Sequence, residues 1–468
     1  MGRNDAIQRV LAVELERDLW NCRPHGYPVW TIQRLLWYQH ALLGGETHRA
    51  AGARPSWRLR AQQFGRSWAT SLADLTRRTV TPFDGRDIWV LGATSYRRRG
   101  SGSTYDCIFA QHLASQLGDR VLFIERNSAA LFVPSRDDMI TWDAPMLSTL
   151  GWGRVAAEVE LRARRELRAE LAAFAPLPPK EVLRDAIYGR LMFELARAWM
   201  QRCRPVALFV ICAYSYMTPF QLAARELGIP IIELQHGIIH ESHPGYVYDA
   251  ERLPPHVPDA MVVFGNHFGK VLERCSPYWR GRWQVGGHPW LVAKRALRPE
   301  PSARRTLVAF TQNDPAVRKQ MAQVLEELAP RLGSGWRILL KPHPRELDAA
   351  VHYRDLSAVG VEVLAHTEDS YALLARSHVA LTVHSTVAIE ALAFSCVSLV
   401  LESPLWSDEI RGFVDQGLIR GVADAKAVAR ECEGSAVDAD RTELASELFG
   451  LGAPELDFEQ LIARASTE

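Results

Sequence analysis

Short apolar runs recur along this chain with helix-like sequence between them, in two successive series, and that alternation constrains the fold more than any other feature. The first series is Asp87–Gly92, Arg120–Glu125, Val206–Ile211, Ile231–Leu234, Ala260–Gly265 and Trp283–Gly287. A basic, proline-containing and aperiodic stretch, Leu291–Arg305, follows and reads as a linker. The second series is Thr306–Phe310, Trp336–Lys341, Val361–Leu364, Val379–Val383 and Val397–Leu401. A strand–helix–strand unit must cross over the sheet and builds it parallel. Two such series predict two Rossmann-like, doubly wound α/β domains facing a cleft, with ligands beyond the carboxyl ends of the strands.

The expected layout is a helical N-terminal extension over residues 1–80, a first Rossmann-like domain over 81–295, a second over 303–435, and C-terminal helices over 436–468. At 468 residues the chain exceeds one ordinary core. With 47% hydrophobic and 23% charged residues it is globular rather than disordered in composition. A net charge of +1 argues against a chain-wide nucleic-acid footprint. Met1–Leu19 is charged and helix-like, without the apolar core of a signal peptide, and no run of 18 apolar residues exists. Seven scattered cysteines without paired ligand spacing fit a reducing cytoplasm.

Two readings suit the tryptophan-rich leader. Trp30–Trp37 has apolar residues at helical spacing, and Trp57, Phe64, Trp68, Leu72 and Leu75 are interleaved with arginines. One reading is an amphipathic segment lying peripherally on the inner face of an anionic membrane. The favoured one is a helical layer packed on the first domain.

Three strand-end loops carry the candidate chemistry. Gln235-His236-Gly237 follows the strand ending at Leu234, and His240, Glu241 and His243 come close behind. An imidazole at a strand tip suits proton abstraction near neutral pH, Gly237 lets backbone approach a ligand, and Glu241 could orient the imidazole or be the base itself. Lys341-Pro342-His343-Pro344-Arg345 follows the next domain's second strand. Its prolines hold it extended, and Lys341, His343 and Arg345 offer cationic donors to a phosphate leaving group. His384-Ser385-Thr386 opens a helix that continues to Glu390, where hydroxyls and backbone N–H groups suit an anion and Glu390 suits ribose hydroxyls. The loop Thr94–Thr104, with Arg98, Gly100, Ser101 and Gly102, is either an anion-contacting loop or a flap, and matches no phosphate-binding spacing. No metal-ligand spacing is present, and no resident cofactor is expected.

Those loops, with the Glu390-Ala391-Leu392 segment, resemble bacterial GT-B transferases of capsule, lipopolysaccharide and teichoic-acid synthesis. Nearest in kind are the capsule-type Kdo and sialic acid transferases and the CDP-glycerol glycerophosphotransferases. The resemblance spans residues 205–405. It implies that His343, Ser385 and Thr386 bind donor phosphate, that Glu390 lies near the ribose, and that His236 is the leading base candidate. It makes the first domain the acceptor domain and the second the nucleotide-donor domain. The chain departs from the pattern at Phe394-Ser395-Cys396-Val397, where many relatives carry G-x-P, and at Gln235, where glycerophosphotransferases carry tryptophan. Both departures favour a sugar donor over glycerophosphate.

The expectation is therefore a metal-independent glycosyltransferase using a CMP-, UDP-, GDP- or CDP-linked sugar as co-substrate and a lipid-linked or oligosaccharide surface-glycan acceptor. The alternatives are a sugar-nucleotide epimerase or hydrolase on the same fold, and a non-catalytic glycan- or nucleotide-binding subunit.

Overall fold

The strand Ile88–Ala93 (β1) lies between Val121–Arg126 (β4) and Ala207–Val210 (β6), parallel to both, and organises the first of two large sheets. The computed structural model describes residues 3–42, 85–93, 98–99, 105–106, 109–126, 139–141, 152–163, 165–249, 251–295, 305–344, 346, 348–394, 396–404, 406, 408–434 and 442–467. The chain divides into two units: Met1–Val263, Phe268–Val285 and Glu455–Glu468 form one, and Phe264–His267 with Gly286–Pro454 the other.

In the first unit the remaining strands are Met139–Thr141 (β5), Ile231–Leu234 (β7), Ala260–Val263 (β8) and Trp283–Val285 (β9). The sheet order is β5-β4-β1-β6-β7-β8-β9, every pairing parallel. A two-stranded antiparallel ribbon, Arg98–Arg99 (β2) with Tyr105–Asp106 (β3), stands apart from it. All four residues of β6 are buried, as are all four of β7. That is why such strands read as unbroken apolar runs rather than alternating ones. Met192, Ala196 and Met200 of the helix Pro179–Cys203 pack on one face with Trp89, Leu91, Leu208 and Val210.

Two helices, Arg3–Arg17 and Trp30–Leu42, belong to this unit and resolve the two readings of the leader over residues 30–37. Trp30, Ile32 and Trp37 are buried, so this apolar face meets protein rather than a bilayer. Gly189 is where the layer seats: a Cβ there would lie 2.3 Å from the Tyr27 ring. The stretch with Trp57, Phe64 and Trp68 lies outside the described residues. Among the described residues, no helix is long and apolar enough to cross a membrane. The C-terminal helix Phe458–Ala465 also joins the first unit, with the Phe458 ring edge-on to Phe209 at 5.7 Å.

The second unit has six strands: Arg305–Phe310 (β10), Trp336–Lys341 (β11), Val361–Val363 (β12), Val379–Thr382 (β13), Val397–Leu401 (β14) and Arg420–Val422 (β15). Their order is β12-β11-β10-β13-β14-β15, all parallel. Numbered within the unit this is 3-2-1-4-5-6, the order of a Rossmann sheet. Between β10 and β11 runs the helix Pro315–Leu332. It starts where it does because Asp314 accepts hydrogen bonds from the Ala316 and Val317 N–H groups and Pro315 takes the first helical position. Both units thus have the expected Rossmann-like α/β architecture.

Candidate functional site

In the second unit the chain direction reverses across the sheet between β10 and β13, the point where such sheets bind ligands beyond their carboxyl ends. The loop after β10 begins with Thr311, and the loop after β13 is Val383-His384-Ser385. One strand over, β11 ends at Lys341 and leads to His343. The tips of β11 and β13 are two strand spacings apart, about 10 Å.

A buried carboxylate, Glu346, fixes the geometry of these tips. Its Oε1 accepts the Thr311 hydroxyl and, at 3.0 Å, the His343 backbone N–H, while its Oε2 accepts the Tyr353 hydroxyl at 2.8 Å. The His343 N–H also lies 3.1 Å from the Thr311 hydroxyl oxygen. Two adjacent strand ends are thereby locked into one frame, with the His343 side chain partly exposed upon it.

Lys341 occupies a different position from the one its strand-end location suggests. It is 3% exposed, and its ammonium donates to the Pro342 carbonyl at 2.9 Å and the His366 carbonyl at 3.0 Å. Burial lowers its pKa to about 8, against the pull of Glu346, Asp369 and Glu368. It braces the loop from inside.

At the tip of β13, Ser385 Oγ accepts the Val387 N–H at 3.3 Å and the Thr386 hydroxyl donates to Glu390 at 3.4 Å. The following helix is one α turn, Val387–Glu390, tightening into the 3₁₀ turn Ala391–Phe394. His384, Ser385 and Glu390 are partly exposed and Thr386 is exposed. The strand order therefore places His343 on one side of the β10 tip and His384, Ser385 and Thr386 on the other. Arg345 lies outside the described residues, as do Gly100, Ser101 and Gly102, and nothing is described of the Arg98 side chain.

In the first unit, β7 delivers Gln235, His236 and Gly237. The Gln235 amide turns back to the Gly237 carbonyl at 2.8 Å and closes the turn. His236 Nε2 lies 3.3 Å from the Tyr214 hydroxyl, which comes from the loop after β6. Behind it, His240, His243 and Tyr246 form a row of rings, His240 to His243 at 5.0 Å and His243 to Tyr246 at 4.7 Å.

The hydrogen bonds set two tautomers. His240 Nε2 faces Arg3 Nη1 at 3.3 Å, and a guanidinium can only donate. The His240 proton is thus on Nδ1, 3.0 Å from Ser242 Oγ. His243 Nδ1 accepts the Gly245 N–H at 3.0 Å, which puts its proton on Nε2. Burial, with Arg3 nearby, pushes His240 down to about 3. Burial first, then His240 and His236, holds His243 well below the usual imidazole range. Both rings are neutral at physiological pH.

Glu241 stands outside this arrangement. Its carboxylate is exposed and pairs with Arg274 at 2.5 Å on the surface. The buried carboxyl of the site is instead Glu233, inside β7, which sequence reasoning passed over. Nothing in Ile231-Ile232-Glu233-Leu234 marks it except a charge in an otherwise apolar strand. It is fully buried, and burial raises its pKa to about 8 although the Ala213 N–H and the Tyr246 hydroxyl both favour the ionised form. Among the described residues, no group of three or more His, Cys, Asp or Glu side chains is arranged to hold a metal ion.

No known family profile matches the sequence, and no curated protein matches it. Solved structures do. The glycotransferase of kitacinnamycin matches with 14% identity over 81% of this chain and 98% of that one, at a TM-score of 0.50. The UDP-GlcNAc 2-epimerase of Neisseria meningitidis, solved with UDP-GlcNAc, has 12% identity over 81% and 97%, at 0.44. The UDP-N-acetylglucosamine 2-epimerase of Rickettsia bellii has 11% identity over 81% and 96%, at 0.47. At these identities the likeness is one of fold, the two-Rossmann-domain fold of GT-B type.

These matches overturn the resemblance to capsule-type Kdo and sialic acid transferases and CDP-glycerol glycerophosphotransferases. With it go the glycosyltransferase assignment and its capsule and lipopolysaccharide context, because UDP-GlcNAc 2-epimerases recur among the structural neighbours. The physical reason is that the shared motifs are short strand-tip loops. They belong to the scaffold, and a scaffold does not specify what is done to the ligand it holds.

Proposed function

We propose that this protein is an enzyme that converts a nucleotide-activated sugar by itself, as an epimerase or a hydrolase, without handing the sugar to a lipid-linked or oligosaccharide acceptor. The observation that carries the reading is the second unit's strand order, with His343, His384, Ser385 and Thr386 on tips at and beside its switch point. Backbone N–H groups, hydroxyls and imidazoles at such tips suit a diphosphate, and Glu390 suits a ribose. In this proposal His236, with the Tyr214 hydroxyl against its Nε2, is the acid–base group. Glu241, spent on Arg274, has no part in it.

UDP-GlcNAc, the ligand named for one structural neighbour, is the first substrate to try. Proton NMR of UDP-, CDP-, GDP- and CMP-linked sugars incubated with protein alone tests the proposal. It requires that at least one be consumed to an epimer or to free sugar. Consumption only after a glycan acceptor is added would refute it.

A further inference from the structure

Glu233 makes contacts that join two loops. Within the sheet its neighbours in register are Val210 of β6 and Met261 of β8, so it has apolar residues on both sides. Its Oε1 accepts two hydrogen bonds, from the Ala213 backbone N–H at 3.1 Å and the Tyr246 hydroxyl at 2.9 Å. Ala213 immediately precedes Tyr214, whose hydroxyl meets His236. Tyr246 lies in the loop that follows β7 and carries His236, His240 and His243. One carboxyl oxygen therefore holds the Tyr214 loop and the histidine loop together. The fit has no slack: a Cβ on Gly245 would lie 2.4 Å from the Tyr214 ring.

The second oxygen, Oε2, is buried and has no hydrogen-bond partner among the described residues. An ionised carboxylate would leave the share of its charge on Oε2 with neither solvent nor a described donor, which burial disfavours. Burial thus favours the neutral acid below about pH 8, with Oε1 accepting both hydrogen bonds. Tyr246 and Tyr248 of the histidine loop face it, and Tyr246 in turn faces Cys212 and Tyr214 of the loop after β6. His243 lies beyond Tyr246, and Arg34 beyond Tyr248. Among the described residues, no carboxylate acts on it.

We propose that Glu233 is a positioning residue: its buried carboxyl clasps the two loops so that the Tyr214 hydroxyl stays on His236. This rests on the reading of His236 as the acid–base group.

The test uses the full chain with Glu233→Gln, Glu233→Leu and Tyr246→Phe. Glutamine keeps an oxygen for both donors and a donor in place of the acid O–H, but cannot titrate. The linkage has a definite sign. The folded acid has a pKa near 8 against an ordinary 4.5, so its stabilising neutral form is fully present below about 4.5. Stability is then lost as pH rises towards about 8 and is level above that. Thermal unfolding of wild type should decline relative to Glu233→Gln across that window. By NMR, the His236 ring (assigned with His236→Ala) should titrate alike in wild type and Glu233→Gln, and at a shifted midpoint in Glu233→Leu and Tyr246→Phe. In turnover of UDP-GlcNAc, Glu233→Leu should lower kcat at least ten-fold, with Glu233→Gln restoring it.

Parallel pH–stability curves for wild type and Glu233→Gln would overturn the proposal. So would an unmoved His236 midpoint in Tyr246→Phe, which decides the matter if Glu233→Leu fails to fold. The unfolding and NMR arms use no substrate, so a protein that turns over no nucleotide sugar would sink the functional reading without touching this one.

Discussion

Arg34 and Glu14 form an ion pair inside the first unit, Nε to Oε1 at 2.5 Å, with side chains 6% and 5% exposed. The same guanidinium donates to the carbonyls of Pro244 and Val247, the latter at 2.8 Å, and lies over the rings of Trp20 and Tyr248. Glu14 also accepts the Trp30 indole N–H at 2.7 Å. Together with Arg3 on His240, this keys the N-terminal helices to the histidine loop. The leader is part of the site's frame.

Removing one partner of such a pair leaves a buried charge alone. Arg34→Met should destabilise the protein by roughly 3–5 kcal/mol, and the double variant with Glu14→Leu should recover a large part of that. Denaturant unfolding of the three proteins measures it. A single variant as stable as wild type would contradict the arrangement.

Gly245→Ala tests the contact between the two loops without touching a charged group. Its Cβ would have to displace the Tyr214 ring, or His243, whose nearest ring atom is 3.1 Å away. The expected result is a shifted His236 titration by NMR with the fold retained in circular dichroism. A spectrum identical to wild type would mean that the loops are not packed as described.

Lys341→Met separates bracing from ligand binding. With its folded pKa lowered to about 8 from 10.5, Lys341 loses its proton more easily folded than unfolded. The neutral form is therefore favoured by folding, and wild-type stability should rise relative to Lys341→Met between pH 8 and 10.5. Below about pH 8 the difference should be constant, and there the variant also leaves the Pro342 and His366 carbonyls without their donor. A difference that is flat across the alkaline range would place the ammonium in solvent.

His236→Ala and His343→Ala should fail in different ways. Loss of a general acid or base costs about 10²–10⁴ in turnover, so His236→Ala should lower kcat on that scale with nucleotide binding intact. His343→Ala should weaken binding of the free nucleotide in a thermal-shift titration. Equal nucleotide affinity in wild type and His343→Ala would remove His343 from the proposed phosphate site.

The sheets were legible in the sequence because strands buried on both faces need unbroken apolar runs, as in Ala207–Val210 and Val397–Leu401, and because helices between them force parallel crossovers. The candidate loops were legible for the same reason, since they follow those runs directly. Which side chain of a loop points outward was not legible. Lys341 and Glu241 carry the right charges at suitable positions, but one is buried against carbonyls and the other is paired with Arg274 on the surface. Glu233 and Glu346 were missed because each works through partners distant in sequence, Ala213 for one and Thr311 for the other. The transferase reading went wrong where local motif chemistry was asked to name a reaction.

The central claim is conversion of a nucleotide sugar in the absence of any acceptor. Its most direct measurement is a time course of UDP-GlcNAc with the purified protein in deuterated buffer, followed by proton NMR. The account predicts loss of the starting anomeric signal, matched one for one either by a new nucleotide sugar carrying deuterium at the inverted carbon or by free sugar and nucleotide, and abolished in His236→Ala. An unchanged spectrum for UDP-GlcNAc and for the CDP-, GDP- and CMP-linked sugars, from protein that binds nucleotide in the thermal-shift titration, would contradict it.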